Sequence, residues 1–276
     1  MEERFLFGLI GSVLIAGIAY KKRSLSVSGG IAAIMLGTAL YTFGDVKWYG
    51  LLLAFFISSS WLSHRKKQEK REVESLFAKT GVRDWLQVAA NGGLGLVAVL
   101  GAFLSGRDDV WFAFYIGVLA AAASDTWATE IGVLSRRPPR HILTGRVVTS
   151  GTSGGISRLG LVASLAGGAF IGAAALLLTI ASGGEINFTY VWLGAVGGLA
   201  GSLADSVLGA TWQRTYECAV CRKETERAVH CGAQTHPLKG YAWCTNDVVN
   251  IAGTIVGGVV AVFIHVLAVL TSYVFL

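Results

Sequence analysis

Eight apolar runs, separated by short charged or Gly/Ser-rich segments, limit what this chain can fold into. They lie near residues 4–20, 26–43, 48–63, 84–105, 110–134, 156–181, 189–212 and 247–275. A helix needs about 20 apolar residues to cross the hydrocarbon core, where backbone N–H and C=O groups must bond within their own segment. The runs therefore predict an all-α, polytopic transmembrane bundle of about eight spans, a single integral membrane domain over residues 1–276. Only 14% of residues are charged and mean hydropathy is +0.59, where a soluble domain carries about 25% charge. The 36 glycines fall inside the apolar runs, and small residues let helix backbones approach closely. Phe5 to Tyr20 ends in Lys21-Lys22-Arg23 rather than in a small-residue cleavage site, so it reads as a span and not as a signal peptide.

Charge orients the bundle. With the amino terminus outside, the inside loops collect 20 of the 23 basic residues and leave only Arg4, Lys47 and Arg107 outside. The expected topology has both termini outside and the polar mass of the chain in the cytosol, which accounts for the net charge of +6 without nucleic acid. The basic stretches 21–23 and 64–71 read as lipid-headgroup anchors, and 63–82 reads as a surface-lying helix. Two short matches hint at internal duplication: Ser28-Gly29-Gly30-Ile31 against Ser153-Gly154-Gly155-Ile156, and Asp125-Thr126 against Asp205-Ser206.

Ionisable groups inside a bilayer cost several kcal/mol unless paired, hydrated or metal-bound, so each is a functional candidate. Asp125, Thr126 and Glu130 occupy the expected cytosolic half of the fifth span, and Asp205 and Ser206 that of the seventh. Asn246, Asp247 and Asn250 open the eighth, and Asn91 lies two turns into the fourth. Hard carboxylate oxygens near phosphates suit Mg²⁺, and Asp125, Asp205 and Asp247 are the expected ligands. Glu130 can equally pair with Arg136 or Arg137. The inside loop 136–157 combines Arg136, Arg137, Arg140 and Arg146 with the turn Gly151-Thr152-Ser153-Gly154-Gly155. Such a turn, leading into a helix amino terminus, can bind phosphate through N–H and hydroxyl groups. It lacks the Gly-Lys-Ser/Thr of a Walker A loop.

The last inside loop, 213–245, is Cys/His-rich: Cys218 and Cys221, then His230, Cys231, His236 and Cys244. In a reducing cytosol this pattern reads as a structural Zn²⁺ site. Cys218, Cys221, Cys231 and His236 are the expected ligands, with His230 as the alternative fourth, and Cys244 as a packed thiol. The position of this loop between the last two spans makes a lid attractive.

Read together, Gln87 to Gly93, Ser124 to Gly132, Gly151 to Ser157, Gly201 to Ala210 and Asn246 to Asn250 resemble the integral-membrane family that contains transmembrane protein 19 and the phytyl-phosphate kinases. The resemblance implies a kinase that moves the terminal phosphoryl of a nucleoside triphosphate, CTP favoured, to an isoprenoid monophosphate such as phytyl or geranylgeranyl phosphate. It implies Mg²⁺ on Asp125, Asp205 and Asp247. Phosphates would be held by Arg146, Lys239 and Gly151 to Gly155, and the acceptor phosphate positioned by Arg83 and Asn91. Membrane lipids surround the chain, and a homodimer is compatible with it. The competing class is a secondary transporter or lipid flippase that uses the same acids for a coupling ion. A CDP-alcohol phosphotransferase ranks below both, because its dense Asp-Gly-x2-Ala-Arg repeat is absent.

Overall fold

The computed structural model describes residues 1–79 and 81–274. It is mostly helical. Long helices run over α1 (Glu2–Lys21), α2 (Val27–Phe43), α3 (Val46–His64), α5 (Trp85–Ser105), α6 (Asp108–Gly132), α7 (Arg158–Ala181), α8 (Thr189–Thr211) and α9 (Asn246–Val274), with a short α4 (Lys67–Glu74) between α3 and α5. These eight long helices fall on the eight apolar runs; residue 275 of the last run lies outside the described residues. Six of them are long and apolar enough to cross a membrane. Helix α2 has only 17 residues, about 25 Å at 1.5 Å per residue, and α3 is the more polar of the remaining two.

Local chemistry sets the helix starts. Ser26 caps α2 by accepting the Gly29 N–H at 3.1 Å, and Ser157 caps α7 from Gly160 at 3.0 Å. Asp84 and Gln87 form a reciprocal capping box at α5. The motif pair Ser28 to Ile31 and Ser153 to Ile156 is not structurally equivalent: the first lies in the opening turn of α2, the second in a loop and strand ahead of α7. That part of the hint of duplication is corrected.

Helix α6 sits at the centre and packs against α3, α5, α7, α8 and α9. Its residues Phe112 to Ser124 are almost all buried. In lipid there is no water to drive apolar faces together, so close backbone packing does the work. At Gly168 of α7 an added Cβ would stand 2.4 Å from the Gly194 carbonyl of α8, so only hydrogen fits there. Helix α1 is peripheral, packed on α2, with most of its apolar side chains exposed.

The two ends of the bundle differ. One has only short turns, tied by Arg4 to the Gly44 carbonyl (3.1 Å), Lys47 to Asp108 (2.7 Å) and His265 to Asp109 (3.4 Å). The other carries every long connection. There β1 (Arg140–His141) pairs antiparallel with β2 (Gly155–Ile156), closing the 142–154 loop. Between α8 and α9, the strands β3 (Thr215–Cys218), β4 (Glu224–Thr225), β5 (Val229–His230) and β6 (Ala233–Lys239) form one antiparallel sheet in the order β4-β3-β6-β5. The expected surface helix over 63–82 is confined to α4, and it is not wholly superficial: Lys70 is 2% exposed.

Candidate functional site

At the loop-rich end a polar cavity of about 310 Å³ opens among the carboxyl ends of α6 and α8, the amino ends of α5, α7 and α9, and the overlying loops. Asp125, Thr126 and Glu130 line it from α6, Asp205 and Ser206 from α8, Asn246 and Asn250 from α9, and Asn91 from α5. Arg83 and the turn Gly151 to Gly155 complete the wall. One site therefore brings together most of the residues singled out from the sequence.

The turn is built for close approach. Gly151 and Gly154 have φ of +92° and +81°, and a Cβ on Gly154 would meet the Ala210 backbone nitrogen at 2.9 Å. The turn thus lies directly on the end of α8, five residues beyond Asp205. Its Ser153 hydroxyl donates to Gln213 Oε1 at 3.0 Å, and the Gln213 amide donates to Glu226 Oε1 at 2.7 Å. Gln213 is 3% exposed.

Glu226 is a cavity residue that sequence reasoning missed. It follows β4 by one residue, and its second carboxylate oxygen accepts the Ala78 N–H at 3.0 Å. Burial first, and the nearby charges of Asp247 and Glu224 after it, push its carboxyl above the usual range against these hydrogen bonds. Asp125, Asp205 and Glu226 lie close enough for their charges to act on one another. Among the described residues none of the three has a basic partner within 4.0 Å. Their oxygens do not gather within 4.8 Å as a closed ligand set. Such an open oxygen set fits Mg²⁺, which keeps waters and bridges to substrate phosphates rather than sitting in an all-protein cage.

Three expected residues stand elsewhere. Asp247 does not line the cavity: Lys79 bridges its carboxylate (2.6 Å) and that of Asp84 (2.9 Å), although Asp247 Oδ1 is buried without a hydrogen-bond partner. Lys239 reaches outside the cavity, 3.1 Å from Glu224 and 3.4 Å from the Ser153 carbonyl. Arg146 is exposed on the 142–154 loop and outside the lining. Glu130 takes neither Arg136 nor Arg137; it is held by Lys70, whose ammonium also donates to the Leu62 carbonyl at 2.7 Å. Lys70 and Lys79, both lining the cavity, read in the sequence as ordinary loop cations.

Arg83 is 9% exposed. Its backbone is clamped to the α1–α2 turn, accepting from Ser26 and donating to Ser24, both at 3.0 Å. Gly29 permits this, since a Cβ there would lie 2.1 Å from the Arg83 carbonyl. The guanidinium donates to Ser60 at 2.7 Å and lies 5.7 Å from the Phe56 ring. Burial pulls its pKa down to about 10, against the opposing charge of Glu130, so it stays cationic at neutral pH.

The Cys/His module stands beside the cavity. Cys218, Cys221, Cys231 and His230 place their ligating atoms within 4.8 Å of one another. This corrects the expected fourth ligand: His236 lies on β6 opposite Glu217, whereas His230 Nδ1 is 3.5 Å from Cys221 Sγ and 3.3 Å from Cys231 Sγ. The β5–β6 hairpin turns at Cys231 and Gly232, both with positive φ, and this brings Cys231 back to the first pair. Backbone N–H from Cys221, then the His230 side chain, lowers the Cys218 thiol to about 6. Three sulfurs and one imidazole nitrogen at this spacing suit a tetrahedral metal such as Zn²⁺. Cys244 is buried and apart, as expected. The module docks on the 72–78 segment through Thr225 and Glu226 to the Leu76 carbonyl and Arg227 to that of Phe77.

Residues 10–258 match the family described as integral membrane protein DUF92. The chain belongs to this family. It is 37% identical over 241 residues to Protein PGR of Arabidopsis thaliana, covering 80% of this chain and 83% of that one. It is 33% identical over 266 residues to an uncharacterized membrane protein of Methanocaldococcus jannaschii, covering 95% and 94%. Protein VTE6, chloroplastic, of Arabidopsis thaliana is 23% identical over 269 residues, 96% of this chain and 71% of the relative. These matches fit the resemblance drawn from the five motifs. No solved structure matches this chain.

Proposed function

We propose that this DUF92 protein is a membrane-embedded phosphotransferase that moves the terminal phosphoryl of a nucleoside triphosphate, CTP in preference, to an isoprenoid monophosphate. The observation that carries this reading is the facing of carboxylates Asp125, Asp205 and Glu226 toward the positive-φ turn Gly151 to Gly155 within one cavity. The carboxylates provide oxygen donors for Mg²⁺, and the turn and Arg83 provide phosphate contacts. By the distribution of basic residues this end faces the cytosol, where the nucleotide is.

In the reaction an oxygen of the acceptor phosphate forms a bond to the terminal phosphorus as the bond to the nucleoside diphosphate breaks. A phosphate monoester has a second pKa of about 6, so the attacking oxygen is already ionised and needs little base catalysis. Repulsion between two anions is the obstacle. Positioning and charge neutralisation are therefore the catalytic terms. Bound Mg²⁺ supplies neutralisation on the transferring group; Arg83 and Asn91 orient the acceptor, and Ser153 and the turn hold the donor. Asp247, tied to Lys79, serves the site through that cation unless the pair opens. The Cys/His group holds Zn²⁺ as a structural ion.

The test is phosphoryl transfer by purified protein in detergent with Mg²⁺, offering CTP, ATP, GTP and UTP with phytyl or geranylgeranyl monophosphate. A diphosphate product that vanishes in Asp205→Asn is the expected result. Folded protein that makes no product with any pair would favour a transporter that uses the unpaired carboxylates for ion coupling.

A further inference from the structure

A second, narrow cavity of about 60 Å³ lies between α1, α2, α3 and α5. Ala16, Ala33, Leu36, Phe56 and Val88 are among its walls, which are nearly all apolar. Arg83, Gln87 and Asn91 line both this cavity and the polar one, so the two meet at a cation and two amides. Arg83 has five N–H donors, yet its guanidinium donates to Ser60 alone among the described residues, and no carboxylate lies within ion-pair distance. Glu130, the acid whose charge acts on it, is taken by Lys70. Burying a charge without a counter-ion costs several kcal/mol, and a guanidinium fork matches phosphate oxygens. The junction thus lacks an anion on its polar side and holds an apolar slot on the other.

We infer that the apolar cavity receives a stretch of the hydrocarbon chain of a lipid monophosphate whose phosphate sits on Arg83. This deepens the phosphotransfer reading and rests on it for the identity of the headgroup. The slot, about 60 Å³, is sized for a stretch of a single chain. Specificity for the acceptor chain is then set by the apolar slot residues of α2 and α5, none of which lines the cavity of the nucleotide turn.

Two measurements test it. Ala33→Phe fills the slot and should raise KM for geranylgeranyl monophosphate roughly tenfold, the worth of about two excluded methylenes. It should leave KM for the nucleotide in place; Val162→Phe, on an exposed face of α7, is the control. An acceptor KM that does not move in folded Ala33→Phe overturns the inference. The second uses wild-type protein with a geranylgeranyl monophosphate analogue bearing a diazirine in the chain. Labelling of peptides from α2 and α5, competed by the unlabelled monophosphate and lost in Ala33→Phe, is expected; labelling confined to the exposed faces of α7 and α9 overturns the assignment. Wild-type protein that is labelled in the slot but transfers no phosphoryl group would refute the phosphotransfer reading and leave the lipid-phosphate site standing.

Discussion

At the residue scale the site depends on a hydrogen-bond chain that ties two distant loops together. Gln213 receives from Ser153 of the glycine turn and donates to Glu226 of the Cys/His module. Replacing it by leucine keeps the volume but removes both partners, and a buried polar group left unpaired costs about 1–3 kcal/mol. Gln213→Leu is expected to lower Tm by several degrees and to cut kcat more than tenfold, because both the turn and the third carboxylate lose their anchor. A variant of lower stability but full kcat would show that the chain only supports the fold. Glu226 and Gln213 were not legible in the sequence. Neither stands in a motif, and Glu226 lies 96 residues beyond Glu130, the near end of the stretch Ser124 to Glu130 of α6 to which it is joined only through folding.

At the scale of the element, the amino end of α5 positions Asn91 and Gln87, and Asp84 holds that end. Its carboxylate accepts the Gln87 N–H at 2.9 Å and pairs with Lys79 at 2.9 Å. Partial burial raises its pKa, but the bonds from Gln87 and Lys79 outweigh it and hold the carboxyl below its ordinary 3.8. A carboxyl lowered on folding stabilises above its unfolded value and loses that contribution as pH falls through the folded value. Asp84→Ala should therefore cost about 1 kcal/mol at neutral pH, and the difference from wild type should shrink below about pH 3.8. Equal losses at pH 7 and pH 3 in thermal melts would assign the effect to packing instead. The apolar run and the glycines that let helices approach were visible locally. What was not visible was that 63–82, so rich in charge, folds back to bury Lys70 against Glu130; a charged stretch looks solvated until its partner's place is known.

At the scale of the whole molecule, a bundle closed by tight helix crossings carries a small sheet module beside its polar cavity. The module's sheet is small, and its Cys/His group offers the natural means of ordering it. Stripping metal with a chelator is expected to release about one Zn²⁺ per chain and abolish turnover by freeing Glu226, while far-UV helicity stays. Re-addition of Zn²⁺ should restore activity. Full turnover in zinc-free protein would separate the module from the reaction.

The apolar runs determined the helices, because in a bilayer a run of that length has no other way to satisfy its backbone. The acids and glycines of the motifs likewise marked one end of the bundle, since ionisable groups are tolerated in such helices only for a reason. Only tertiary structure decided the partners. It gave Asp247 to Lys79, Glu130 to Lys70 and His230 instead of His236 to the cysteines, and it set Glu226 beside Asp125 and Asp205 in the cavity. Each of these is a contact between segments whose separation along the chain carries no local signal, and it forms when the helix crossings have set the loops side by side.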